Sequence, residues 1–364
     1  MRTQLAEKLL VKIMEWNPQT TMKERPLLQA LSAFKYDEYQ QFSSGTRYIE
    51  SLVKWLRQFN SIEQKKIAYE FIKKNLIFIS HDQMSYLVNL TFTDKINPHL
   101  IKKSIDAGVS EYHVSKIVRS NKYKEERRRS LFIGLSDGAK MDQLRRSAEL
   151  SNEQVLLTYE ISSSKASDLL KELEKEKFNG HFTSVFLIDD FTASGTSYFR
   201  KENNEWKGKI LKTLKSLLIK GKGDLHDLTD HKTKIEVHII FYLATQASIE
   251  TLNERISTWR DEINIPFDFT IDAVQLISHE VRDKTIKETA FIALAKEYFD
   301  ESIVDTHFEK AKHDNPHLGY NECCLPVILI HNTPNNSLPI LWFPEDKKYT
   351  GLFPRITRHK ANER

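Results

Sequence analysis

The sequence is poor in the residues that form covalent or metal cross-links. Its only cysteines among 364 residues are the neighbours Cys323 and Cys324, and adjacent cysteines rarely pair with each other or chelate one metal. The histidines have no HExxH spacing or other metal-ligand spacing. We therefore expect neither a disulfide nor a metal bound by protein side chains alone, which fits a reducing cytoplasm.

Long apolar runs are also missing. None approaches the roughly 18–20 residues that a membrane span needs, and the first sixteen residues mix charges with apolar residues, unlike a signal peptide. Walker A, GxSxG and Cys–His signatures do not occur either. We expect a cytoplasmic protein with no membrane partner. The net charge of +4 permits a nucleic-acid partner without requiring one.

The periodicity of apolar residues changes along the chain. Residues 1 to about 120 have helical spacing, as in Leu5, Leu9 and Ile13. The charge-dense run KYKEERRRS at 122–130 is a suitable domain boundary because such a stretch does not fit a core. The pattern predicts a helical recognition or assembly domain over 1–125 and a second domain over 126–364.

Beyond that boundary, apolar strands alternate with amphipathic helices. The expected helices are 163–175, 210–220 and 248–259, and the expected strands are 130–135, 155–161, 184–188, 236–244, 269–277 and 325–330. This alternation predicts an α/β fold with a mostly parallel sheet covered on both faces.

The segment VFLIDDFTASGTS at 185–197 combines a strand with a phosphate-binding type of loop. Asp189 and Asp190 follow the apolar strand at its carboxyl end, where ligands bind in open α/β sheets. The small or hydroxylated residues of the loop suit a phosphate group and are Thr192, Ala193, Ser194, Gly195, Thr196 and Ser197. The paired carboxylates suit a ribose diol. The alternative is a strand end followed by an ordinary turn.

This segment resembles the signature of the type I phosphoribosyltransferases, which bind 5-phosphoribosyl-1-pyrophosphate (PRPP). The resemblance implies that Asp189 and Asp190 hold the ribose 2′- and 3′-hydroxyls and that 192–197 holds the 5-phosphate. It also implies Mg²⁺ as a cofactor on the pyrophosphate. The reaction in that family displaces pyrophosphate from C1, and it depends on positioning and charge stabilisation.

In the same family, the loop after the first strand holds the pyrophosphate. Here that loop is Ser136, Asp137, Gly138, Ala139 and Lys140, and Arg145 and Arg146 lie further along the chain. Gly138 would allow close backbone approach, and Lys140 could contact a phosphate. Asp137 would repel pyrophosphate, so it must face Mg²⁺, a hydroxyl or the acceptor. An ordinary turn with two solvated arginines is the alternative.

The motifs GLSDGAK, DDFTASGTSYFR and HNTPNNSLPILW together resemble phosphoribosyltransferase-like proteins of bacterial conflict systems, including those associated with retrons. That resemblance implies an anti-phage effector that uses PRPP or a nucleotide for ribosyl transfer or glycosidic cleavage. A reverse transcriptase and its RNA/DNA complex are the implied partners. The alternatives are a non-catalytic sensor that binds nucleic acid and a metabolic phosphoribosyltransferase.

Two further segments are candidate acceptor or lid elements. Residues 198–209 intervene where the family usually enters a helix, and they include Arg200 and Trp206, which suit phosphate contact and base stacking. Asn332, Asn335 and Asn336 could read a base edge, or they could form a polar turn.

Residues 99–120 have the spacing of a helix-turn-helix. Residues 107–110 would form the turn, 111–119 the second helix, and Val114 and Ile117 would face the first helix. His113, Lys116 and Arg119 are the candidate nucleic-acid contacts. An ordinary helical corner is the alternative, and Glu111 at the head of the second helix favours it.

Overall fold

The computed structural model describes residues 3–106, 110–176, 180–231, 234–304, 308, 314–345 and 347–355. The chain divides into two compact units, one formed by Met1–Gln83 with His279–Arg364 and the other by Met84–Ser278. We call them the terminal unit and the central unit. Neither unit begins or ends at the expected boundary between residues 125 and 126, because the two ends of the chain pack into one core.

More of the described residues lie in helices than in strands. Their bounds are α1 Thr3–Ile13, α2 Pro18–Phe34, α3 Tyr48–Arg57, α4 Ile62–Asn75, α5 His81–Leu90, α6 Asn97–Lys103, α7 Val114–Arg119, α8 Asn121–Arg128, α9 Met141–Ser147, α10 Ser163–Lys175, α11 Lys209–Leu218, α12 Gln246–Ile263, α13 His279–Lys287 and α14 Thr289–Glu297. A π-helical segment, Thr91–Ile96, joins α5 to α6.

The strands form three sheets. Their bounds are β1 Ile77–Ile79, β2 Ser130–Gly134, β3 Val155–Leu156, β4 Ser184–Thr192, β5 Arg200–Glu202, β6 Glu205–Lys207, β7 Ile235–Thr245, β8 Phe267–Ile277 and β9 Val327–Leu329. The main sheet has the order β3-β2-β4-β7-β8, and each of its pairings is parallel. The expected parallel sheet of an α/β protein is therefore confirmed.

The structure corrects three details of the sequence prediction. The expected strand 155–161 is reduced to the two residues of β3. The expected strand 325–330 contributes β9, which pairs with β1 in the terminal unit and not with the main sheet. The charged run at 122–130 is not a linker: it contains most of α8, where Arg128 is buried and donates to Glu176 at 3.0 Å.

The terminal unit has a core made from both ends of the chain. Trp55 Nε1 donates to the carbonyl oxygen of Ile340 at 2.8 Å, and Ser51 Oγ donates to that of Leu352 at 2.6 Å. The rings of Phe71 and Phe291 stack with their centroids 3.6 Å apart. Apolar side chains distant in sequence thus share one buried cluster, which removes their surface from water.

In the central unit, alternate residues of the strands face opposite sides of the sheet. On β7, Val237, Ile239 and Phe241 belong to a buried cluster with side chains of α10, α11 and α12. On the opposite side, His238 contacts His99 of α6 with ring centroids 3.9 Å apart. The sheet therefore carries helices on both faces.

Among the helices that the structure describes, none has both the length and the apolar character of a membrane span.

Candidate functional site

The strand order of the main sheet creates a switch point, at which the connections from two neighbouring strands leave in opposite directions. In chain order the strands run 2-1-3-4-5 across the sheet, and in such sheets ligands bind at the carboxyl ends of the first and third strands. Those strands are β2 and β4. The loops that follow them are Ser136–Lys140 and 192–197. Both loops identified from the sequence therefore lie at the same edge of the sheet, where such ligands bind.

Asp189 lies inside the central unit. Its side chain has 0% exposure and accepts hydrogen bonds from Ser136 Oγ and from Tyr198 Oη, the latter at 2.8 Å. Lys209 Nζ is 3.5 Å from its Oδ2. Burial, followed by the charge of Asp190, raises the pKa of Asp189 to about 6, although the ammonium and the hydroxyl donors oppose that shift.

Asp190 faces the other side of the strand and is partly exposed. Its Oδ1 accepts a hydrogen bond from the backbone N–H of Phe191 at 2.8 Å. A Cβ added to Gly138 would lie 2.5 Å from Asp190 Oδ2. Only glycine therefore lets the first loop approach this carboxylate so closely.

The loop 192–197 is held by its own hydroxyls. Gly195 has a φ of +70°, and its N–H donates to Thr192 Oγ1 at 3.2 Å. The N–H of Thr196 donates to Ser194 Oγ at 3.4 Å. The loop is also tied to the next strand, because Thr245 Oγ1 donates to the carbonyl oxygen of Ala193 at 2.6 Å. Ser197 is exposed.

The loop after β2 forms a turn that presents mixed charge. Asp137 is exposed, whereas Lys140 is partly exposed and has a left-handed backbone with a φ of +44°. The carbonyl oxygen of the buried Ala139 accepts a hydrogen bond from Tyr242 Oη. Arg146 pairs with Asp142 on the exposed side of α9. Lys140 is thus partly accessible in the loop after β2, and Arg146 has an acidic partner on its own helix.

Residues 198–209 form an antiparallel hairpin of β5 and β6 that leads into α11. Trp206 is partly buried against the core and donates its Nε1 proton to Glu262. Arg200 contacts Glu202 at 3.2 Å. In this structure Arg200 therefore contacts a residue of its own strand, and Trp206 ties the hairpin to α12.

The asparagine motif belongs to the terminal unit, whereas the two loops belong to the central unit. Asn336 is buried and donates to the carbonyl oxygen of Tyr320 at 3.1 Å, and the carbonyl oxygen of Asn335 accepts from the N–H of Tyr320 at 2.8 Å. The Asn332 N–H donates to the carbonyl oxygen of Leu329 at 3.1 Å. The polar-turn alternative fits these contacts.

The expected helix-turn-helix is only partly within the described residues, since 107–109 lie outside them. The second helix begins at Val114 and not at 111. Val114 is 45% exposed, which does not fit the expected packing on the first helix, whereas Ile117 is buried. His113, Lys116 and Arg119 are exposed, and their role in nucleic-acid contact stays a prediction.

Three residues at the site were missed by the sequence reading. Tyr198, Lys209 and Tyr242 hold Asp189 or the loop after β2 through the contacts described above. Tyr198 and Lys209 are the two ends of the inserted segment 198–209, and the sequence does not single them out within it. Tyr242 lies inside a strongly apolar strand, where a tyrosine is usually a core residue, so no sequence signal distinguished it.

A parallel sheet of order 2-1-3-4-5 with helices on both faces defines the class of open, doubly wound α/β proteins. Within that class, this chain belongs to the PRTase-CE family, whose model matches residues 52–355. It is thus a phosphoribosyltransferase-like protein, and the match spans parts of both units. No curated protein and no solved structure matches the sequence.

Proposed function

We propose that the crevice between the loops after β2 and β4 binds PRPP or a nucleotide, as the resemblance to the type I phosphoribosyltransferases implies. The 5-phosphate would lie in the loop 192–197, and Asp190 would accept hydrogen bonds from a ribose hydroxyl. The observation that carries the proposal is the close approach of Gly138 to Asp190. It sets the loop after β2 against the carboxyl end of β4, which leads into the loop 192–197.

The residues present fit a hard divalent cation. Asp137 is exposed in the loop after β2 and Asp190 is partly exposed near the end of β4, and their carboxylate oxygens are the kind of ligand that Mg²⁺ prefers. When bound with PRPP, Mg²⁺ would neutralise charge on the pyrophosphate. The chain's own part is to position the ribose through Asp190 and the phosphate through the loop N–H groups and hydroxyls.

The proposed chemistry is displacement at C1 of the ribose. The bond between C1 and the leaving oxygen or nitrogen breaks, and the leaving group departs with the electron pair. A new bond forms between C1 and an acceptor, which is water in glycosidic cleavage. Lys140, which is partly exposed in the loop after β2, would stabilise negative charge on the leaving group.

The resemblance to proteins of bacterial conflict systems supports a role as an anti-phage effector. In that role the crevice would consume PRPP or a nucleotide during infection, in association with a reverse transcriptase and its nucleic acid. The check is a plaque assay in cells that carry the wild-type protein or Asp190→Asn. Equal protection by the two would contradict an effector role for this crevice.

The binding proposal is tested by calorimetric titration of PRPP with Mg²⁺ into the full chain. Asp190→Asn removes the charge at nearly constant shape, and we expect affinity to fall about 10- to 100-fold because hydrogen bonds to a charged group contribute roughly 1.5–3 kcal/mol. Gly138→Ala should have a comparable effect, since its Cβ would displace the loop.

Two matched variants control for indirect effects. Asp224→Asn changes an exposed aspartate of the same unit. Gly180→Ala places a Cβ 3.2 Å from the end of the flexible Glu174 side chain. Both should bind like the wild type. Unchanged binding by Asp190→Asn would contradict the assigned crevice, and failure of both PRPP and a nucleoside monophosphate to bind the folded wild type would contradict the proposed ligand class.

A non-catalytic sensor is the second candidate. Two observations favour it: Asp189 is fully buried among internal partners, and the exposed Asp137 opposes pyrophosphate. A sensor would bind the ligand without turnover, and Lys116→Ala with Arg119→Ala would weaken its binding of nucleic acid. Release of pyrophosphate from PRPP in the presence of a free base would instead identify a metabolic phosphoribosyltransferase.

A further inference from the structure

A cluster of three side chains with metal-binding groups lies far along β7 from the crevice. His99 comes from α6, and Glu236 and His238 lie near the amino end of β7, on the same face of the strand. One ligand atom of each lies within 4.8 Å of the other two. The candidate phosphate loops follow the carboxyl ends of the strands, so this cluster is a separate place in the central unit.

The separations between the ligand atoms are close to those of a coordinated metal. His99 Nε2 is 3.2 Å from Glu236 Oε2, and His238 Nε2 is 4.0 Å from the same oxygen. Ligands bound tetrahedrally at 2.0–2.1 Å lie about 3.3 Å from one another. Small changes of side-chain torsion would therefore bring the three atoms around one ion.

The imidazole nitrogens that face the cluster have no hydrogen bond among the described residues. This holds for Nε2 of both His99 and His238, and both atoms are buried; the 3.2 Å contact of His99 Nε2 with Glu236 Oε2 lacks hydrogen-bond geometry. Only 8% of His238 is exposed. Its other nitrogen, Nδ1, is 2.8 Å from Thr270 Oγ1. A hydrogen bond to the second nitrogen is how proteins orient histidine ligands.

The charges around the cluster allow a cation. Lys103 Nζ lies 3.0 Å from Glu236 Oε2 and 3.4 Å from Glu126 Oε2. The ammonium can therefore keep Glu126 when a metal takes Glu236.

We propose that His99, Glu236 and His238 form a binding site for a first-row transition-metal dication of the Zn²⁺ type. Two imidazoles and one carboxylate are a ligand set that Zn²⁺ uses, whereas Mg²⁺ and Ca²⁺ prefer oxygen ligands. Water or an external ligand completes the tetrahedron. The side chains of His99 and Glu236 are 22% and 32% exposed, which leaves a route for the ion. The bound metal links α6 to β7.

The test is a calorimetric titration of Zn²⁺ into the metal-free full chain. The wild type should bind one equivalent at this site. His99→Ala and Glu236→Gln should each weaken that binding at least about ten-fold, because each removes one of three protein ligands. Glu236→Gln keeps the shape of the side chain, so its result does not depend on a disrupted core.

The control is His226→Ala. His226 and His231 have stacked rings 3.7 Å apart in the same unit, and they are an alternative pair of ligands. We expect unchanged binding by this variant. The proposal is overturned if the folded wild type binds no Zn²⁺, if His99→Ala and Glu236→Gln bind as tightly as the wild type, or if His226→Ala is the variant that loses binding.

A gain of affinity provides a second measurement. Lys103→Met removes the ammonium that competes for Glu236, so Zn²⁺ should bind roughly ten-fold more tightly. The spectrum of bound Co²⁺ should have the ligand-field bands of a four-coordinate nitrogen and oxygen site. A thiolate charge-transfer band would place the metal on Cys323 or Cys324 and would overturn the proposal.

Discussion

Asp189 and Asp190 are neighbours with opposite environments. Because successive residues of β4 face opposite sides of the sheet, Asp189 enters the core and Asp190 meets the loop after β2. Asp189 is surrounded by Ser136, Tyr198 and Lys209. Under the proposed function, Asp190 is the residue that contacts the ligand and Asp189 is a positioning residue.

The burial of Asp189 predicts a pH-dependent stability. Its pKa is raised to about 6 in the folded protein from 3.8, so the folded state favours the protonated form. The resulting stabilisation is complete below about pH 4 and is lost as the pH rises through 6. Relative to Asp189→Asn, the free energy of unfolding of the wild type should fall by up to about 3 kcal/mol between pH 4 and 7. Urea unfolding at several pH values measures this difference.

The control for that series is Asp224→Asn, which changes an exposed aspartate. Its stability should follow the wild type across the pH range. If the difference in the free energy of unfolding between the wild type and Asp189→Asn does not change with pH, the raised pKa of Asp189 is contradicted.

Single residues were predictable where the local chain encodes them. The loop 192–197 follows its strand directly, so the small hydroxylated residues and the two aspartates could be located from the motif. The contact of Lys209 with Asp189 joins residues twenty positions apart across an intervening hairpin. No local pattern specifies such a contact.

At the scale of elements, the hairpin of β5 and β6 is the departure from a simple alternation of strands and helices. Its turn residues, Asn203 and Asn204, have φ values of +50° and +64°. Two positive values define a type I′ turn, which asparagine tolerates better than most residues. The turn therefore fixes the register that pairs Lys201 with Trp206.

Substitution at Asn204 should raise or lower the stability of the hairpin according to how well the new residue tolerates a positive φ. Asn204→Val should destabilise it by about 1–2 kcal/mol, because a β-branched residue is strained at positive φ. Hydrogen exchange across 200–207 should then be roughly 5- to 30-fold faster. Asn204→Gly is the matched comparison and should exchange as slowly as the wild type. Equal exchange in the two variants would contradict the turn type.

Long elements were predicted more successfully than short ones. The helix at 163–175 was placed correctly because its apolar residues repeat over several turns. The segment 155–161 has strand composition, yet only Val155 and Leu156 pair with β2. Edge strands are shortened by tertiary contacts that composition does not report.

At the scale of the whole molecule, the terminal unit is built from two distant parts of the chain. β1 and β9 pair in parallel although residues 80–326 lie between them in the chain, and the register joins Phe78 to Ile328. Tyr39 Oη donates to the carbonyl oxygen of Pro354 at 2.9 Å. Neither part has a complete core without the other.

This arrangement predicts which fragments fold. Residues 80–278 contain the main sheet, its buried cluster and Ser80, whose side chain caps α5. Expressed alone, this fragment should unfold cooperatively in urea. Residues 1–79 alone should not, since their core partners lie at 291–353.

Co-expression of residues 1–79 with residues 279–364 tests whether the two fragments reassemble the terminal unit. The two pieces should purify together and regain a cooperative transition. A stable, cooperatively folded 1–79 fragment would contradict the shared core.

The sequence by itself determined the α/β character of the central region, the position of the loop 192–197 and the resemblance that leads to the phosphoribosyltransferase-like family. These features are encoded by residues close together in the chain. Tertiary structure alone decided the burial of Asp189, the union of the two chain ends and the meeting of His99 with Glu236 and His238. Such features depend on contacts between distant segments, which arise only when separate apolar surfaces are buried against one another.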